Sequence, residues 1–102
     1  MVKAVSIIMV TADWEKASGY VKKACKKVAE ELGLELEERK EDYEFLEKYG
    51  IKNEFGGLDI PQVFIKYDNN EIKYVMSRVP LTDKGKPDIN KAIKIIEKAI
   101  GG

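Results

Sequence analysis

A tryptophan, a carboxylate and a hydroxyl stand close together in Trp14-Glu15-Lys16-Ala17-Ser18, after an apolar run and at the start of a long helical pattern. Exposed amides and the helix dipole favour an anion at such a place by about 0.3–1 kcal/mol. The simplest role for Glu15, placed in the first helical turn, is to support that start; the other is to contact a partner. Ser18 can donate a hydrogen bond to a bound group, although a serine in the first turns of a helix is usually solvated. Trp14, just past a strand end, suits contact with an extended peptide, or else packs as a lid over the first turn.

The remaining chemistry is sparse. Cys25 is the one cysteine and histidine is absent, which excludes an internal disulfide and a cysteine-rich metal site and removes the commonest zinc ligand and general base. Most hydrolase mechanisms fall away, and no catalytic residue, cofactor or metal is expected. Cys25 sits between Val21 and Val28 on an apolar stripe, where a thiol behaves as a small hydrophobe. Phe55, followed by Gly56 and Gly57, reads as a recognition tip on a loop. No Lys and Ser/Thr follow those glycines and no helix opens there, so they do not make a phosphate loop.

Elements that position these residues follow from periodicity. Val2 to Val10 (VKAVSIIMV) is nearly all apolar and rich in β-branched residues, the pattern of a strand covered on both faces. Val21, Ala24, Cys25, Val28, Ala29 and Leu32 recur at helical spacing with lysines opposite, and Gly33 ends the helix. The lysine face, Lys22, Lys23, Lys26 and Lys27, is balanced by Glu30 and Glu31 and reads as solvated surface. Leu34 to Glu38 alternates apolar with acidic residues, as an edge strand does. Asp42 to Tyr49 is a short helix stopped by Gly50, and a loop runs from Ile51 to Asp59. Pro61 to Tyr67 and Glu71 to Ser77 form a hairpin around Asp68, Asn69 and Asn70. A polar loop, Arg78 to Pro87, leads to a last helix that Asp88 caps and that ends before Gly101.

The order βαβαββα predicts an α/β fold: a four-stranded mixed sheet in order 2-1-3-4 with helices on both faces. At 102 residues the chain is long enough for one domain over residues 1–102. Basic and acidic residues number 18 each, which leaves no net field to attract nucleic acid. No stretch approaches the roughly 20 apolar residues of a membrane span, and the cytoplasm is the expected compartment. The Lys and Glu bias, with Gln62 the one glutamine, is that of proteins from hot environments.

Several separated segments resemble the thioredoxin family. Ala12-Asp13-Trp14 is similar to the Ala-Glu-Trp that precedes the family's Cys-Gly-Pro-Cys, Lys48-Tyr49-Gly50-Ile51 to its Lys-Tyr-Gly-Ile, and Ile60-Pro61 to its Ile-Pro, whose proline is cis and lines the active site. The resemblance implies a minimal thioredoxin fold without the extra N-terminal strand and helix of full thioredoxins. It places Glu15 and Ser18 at the two cysteine positions, and Met9 at the buried aspartate that carries protons for the thiols. Dithiol exchange needs a thiolate and a resolving thiol, and neither position supplies one. The loop before Ile60-Pro61 is longer than the family's, and a glycine expected near Ser77 and Arg78 is missing, which reshapes the peptide groove. The reading is a redox-inactive binding or scaffold module that holds a protein or peptide partner with Trp14, Glu15, Ser18, Ile60 and Pro61, and with Phe55 as a loop contact. The alternative is a disulfide oxidoreductase of this family with replaced cysteines, or one acting through Cys25. Self-association through an open sheet edge, as a weak homodimer beside a monomer, is the third.

Overall fold

A computed structural model describes residues 2–101. The elements run β1 (Ala4–Thr11), α1 (Ala17–Leu32), β2 (Glu35–Lys40), α2 (Tyr43–Tyr49), β3 (Gln62–Tyr67), β4 (Ile72–Met76) and α3 (Ile89–Gly101). One sheet forms in the order β2-β1-β3-β4, with β1 and β2 parallel and the other two pairs antiparallel. This is the βαβαββα topology and strand order that the sequence pattern predicts.

β1 is apolar without alternation because both of its faces are covered. Ile7 and Met9 point to the layer of α1 and α3, where they meet Val21, Cys25, Val28, Val63 and Ile96. Ile8 and Val10 point the other way, against Phe45, Leu46 and Phe64 beneath α2. The Phe45 and Phe64 rings meet edge to face at 5.0 Å, and the Arg39 guanidinium lies 4.7 Å above Phe45. The two layers together bury the sheet centre and leave the ends of its strands to the loops.

The helix ends follow their local chemistry. Gly33 adopts a left-handed φ of 67° and closes α1 with a hydrogen bond from its N–H to the Ala29 carbonyl. Asp42 accepts from the Phe45 amide at 3.0 Å and Asp88 from the Lys91 amide at 3.0 Å, each capping its helix. The hairpin turns with Asn70 at a φ of 70°. β2 falls later than expected because pairing with β1 continues to Thr11, opposite Lys40. Its side chains are nearly all exposed, Leu36 included, so the alternation in Leu34 to Glu38 does not mark a half-buried strand. Among the described residues, no helix is long and apolar enough to cross a membrane.

Candidate functional site

β1 and β2 finish at the same end of the sheet at which β3 starts and β4 finishes. Four connections therefore meet there: the turn after β1, the bend after β2, the loop between α2 and β3, and the loop between β4 and α3.

In the first of these, Glu15 precedes the helix instead of sitting in its first turn, because α1 begins at Ala17. It still supports the helix start from one residue before the N-cap Lys16: its carbonyl accepts from the Ser18 amide at 3.0 Å, and Oε1 accepts from the Ala17 amide at 3.2 Å. The second carboxylate oxygen receives the Arg78 guanidinium at 3.5 Å, which ties the β1 turn to the β4 loop.

Ser18 is buried, 5% exposed, and not solvated as its position near a helix start predicts. Its Oγ accepts the Ala12 amide at 3.1 Å and so closes the turn. Ser18 lies three residues before Val21 and seven before Cys25, on the apolar stripe of α1, and that spacing was the signal for its burial. Both residues at the expected cysteine positions are thus structural ties. The Ser18 hydroxyl is buried against the Ala12 amide, and the Glu15 carboxylate is held between the Ala17 amide and Arg78.

Trp14 is 64% exposed, and its indole N–H donates to Glu41 Oε1 at 3.0 Å. Glu41 follows β2, so this hydrogen bond draws the ring to the opposite side of β1 from Pro61. The peptide bond between Ile60 and Pro61 is cis. Both residues are buried, and neither side chain offers surface to a partner. Of the six expected site residues, Trp14 and Phe55 are exposed, Glu15 is half-buried, and Ser18, Ile60 and Pro61 lie inside.

Phe55 is 89% exposed on a loop that is folded, not slack. Asn53 organises it: its amide donates to the Gly57 carbonyl, and its Oδ1 accepts the amides of Phe55 and Gly57 at 2.9 and 3.0 Å. Gly56 takes a φ of 81°, the left-handed position of a type I turn with a bulge, where a side chain would be strained. The loop over Thr82 to Lys86 repeats this geometry. There Thr82 binds the Lys86 carbonyl and amide, and Gly85 has a φ of 77°. A paired residue on each flank, Lys52 with Leu58 and Leu81 with Pro87, completes the likeness.

Gln62 was not singled out for this role from the sequence. It is fully buried, its Oε1 accepts the Ile51 amide at 3.0 Å, and its Nε2 donates to the carbonyls of Ile51 and Asp59 at 3.1 and 2.9 Å. One side chain therefore clamps both feet of the Phe55 loop. Gly50 is required beside it, since a Cβ there would come within 2.7 Å of the Leu46 carbonyl and 2.9 Å of Gln62 Oε1.

Exposed apolar side chains concentrate at this end. Trp14, Tyr43, Ile51, Phe55 and Leu81 lie on its connections, whereas Val2, Val5, Leu32 and Leu36 lie toward the other end or the β2 edge. Cys25 is buried, and desolvation pushes its thiol pKa up to about 12, so it holds no thiolate at neutral pH. Met9 is buried in the layer beneath α1. Among the described residues no group of His, Cys, Asp or Glu is placed to hold a metal ion. No protein-family model, curated protein or solved structure matches the chain.

Proposed function

We propose that the chain is a redox-inactive, thioredoxin-like binding or scaffold module that holds a protein or peptide partner at the loop end of its sheet. The observation that carries this reading is the apolar exposure there: Trp14 at 64%, Phe55 at 89% and Leu81 at 63%, each on a connection fixed by its own hydrogen bonds. Aromatic side chains held in place lose little entropy on binding and are favoured as contact anchors. In this reading Glu15, Ser18, Ile60 and Pro61 build the frame, and Trp14, Phe55 and Leu81 make the contacts. The oxidoreductase alternative gains no support from Cys25, whose burial and raised pKa keep the thiol from attack.

Trp14 is the sole tryptophan, which makes the test optical. A partner captured from the native host is titrated against the chain while Trp14 emission and iodide quenching are followed. The reading predicts reduced quenching on binding and at least tenfold weaker affinity for a Trp14→Ala, Phe55→Ser variant, followed by anisotropy of the labelled partner. Unchanged quenching with unchanged affinity in the variant would refute the assigned surface.

A further inference from the structure

The sheet has two free edges, and they are built differently. β2 carries five charged side chains in six residues, Glu35, Glu37, Glu38, Arg39 and Lys40, the kind of edge that resists strand pairing. β4 reads Ile72-Lys73-Tyr74-Val75-Met76, β-prone and with one charge. The Tyr67 amide donates to the Glu71 carbonyl at 2.9 Å, and the register pairs Ile65 with Lys73 and Phe64 with Tyr74. In an antiparallel ladder, residues bonded to the neighbour alternate with residues facing away. Glu71 and Lys73 therefore bond to β3, and Ile72 and Tyr74 direct their N–H and C=O groups outward, where no strand lies among the described residues.

Beside this edge runs a groove of about 1140 Å³, walled by the start of β1, by β4 and by the last turns of α3. Val75, Ile95 and Ile100 give it an apolar floor, and Lys3, Lys73 and Lys98 stand around it with Glu71 as the one acid among the described residues. Those three lysines are exposed and form no ion pair among the described residues. Two copies of the chain joined here would bring their lysines together. A segment bearing carboxylates would instead be attracted by all three.

Going beyond the surface proposed above, which lies at the other end of the sheet, we propose that the β4 edge is a second binding site. Its ligand is an extended acidic segment of a partner protein, added as a fifth strand. Main-chain bonds to Ile72 and Tyr74 supply the pairing, and the alternate residues of the segment that face the groove carry carboxylates toward Lys73 and Lys98. With a surface at each end, the domain is able to join two partners.

The test uses two ten-residue peptides, one alternating glutamate with valine and one alternating lysine with valine, followed by amide shifts and hydrogen exchange. The acidic peptide should shift and protect the amides of Ile72 and Tyr74, and bind more weakly as salt rises. The exposed double variant Lys73→Glu, Lys98→Glu should lose about tenfold in affinity, while Phe55→Ser should leave it unchanged. Equal binding of the lysine peptide, or shifts that fall away from β4, would overturn the proposal. So would protection of the Ile72 and Tyr74 amides by self-association without any peptide.

Discussion

Replacing Gln62 with methionine keeps the volume of a fully buried side chain while removing the three hydrogen bonds that clamp the Phe55 loop to β3. Each such bond contributes about 0.5–1.5 kcal/mol, so the gross loss is roughly 3 kcal/mol. Methionine recovers part of this by apolar burial, and Ile51 and Asp59, both exposed residues, regain water at their freed backbone groups. The net cost should be about 2 kcal/mol, a fall of roughly 10 °C in melting temperature for a domain of this size. Chemical denaturation reads the stability and amide exchange reads the loop: Asn53 and Gly57 should exchange much faster in the variant while β1 stays protected. Gln62→Glu adds a sign. Its carboxylate would face the Ile51 and Asp59 carbonyls, so its folded pKa rises above the unfolded value near ~4.3. The variant is therefore least impaired below the unfolded value and loses stability as pH rises through the folded one. A Gln62→Met protein within about 0.5 kcal/mol of the parent, with loop exchange unchanged, would refute Gln62 as the anchor.

Ser18→Ala should cost about 1–2 kcal/mol by leaving the Ala12 amide unpaired in a buried turn, measured by urea denaturation. Asp42→Ala should cost about 1 kcal/mol through loss of the α2 cap. The Phe45 amide and then Arg39 hold the Asp42 carboxyl below its ordinary value, so its contribution is full above the unfolded pKa and fades as pH falls through the folded one. A pH titration of stability below about 4 should therefore be flatter in Asp42→Ala than in the parent. Burial acts to raise Glu38, but hydrogen bonds from Thr11 and Lys22 and the Lys22 charge prevail and lower it, which gives the same sign. Cys25 should react with a bulky thiol reagent at the rate of unfolding; rapid modification of the native chain would contradict its burial.

The elements were legible where apolar period and end residues agree. The β1 run, the stripe of α1 with Gly33 behind it, and the Asp68-Asn69-Asn70 turn define their elements locally, and with them the strand order. The boundaries of β2 were not, since six mostly charged residues pair with β1 for reasons held in β1. At the site, exposure of Trp14 and Phe55 followed from their positions. The roles of Glu15 and Ser18 as ties depend on where the helix starts, at Ala17, which leaves Glu15 outside the first turn where the pattern placed it. The two matching loops have a readable signal, Asn53 and Thr82 each three residues before a glycine. Gln62 had none, because its partners Ile51 and Asp59 come near it only once α2 has packed and the loop has closed.

The proposed binding surface would leave a footprint that hydrogen exchange of the chain, alone and with a captured partner, can read. Slower exchange should appear in residues 12–18, 53–57 and 79–82, with the outer faces of α1 and α3 unaltered. Slowing on those helix faces, with the three loop segments unchanged, would contradict the assignment of the binding surface to this end of the sheet.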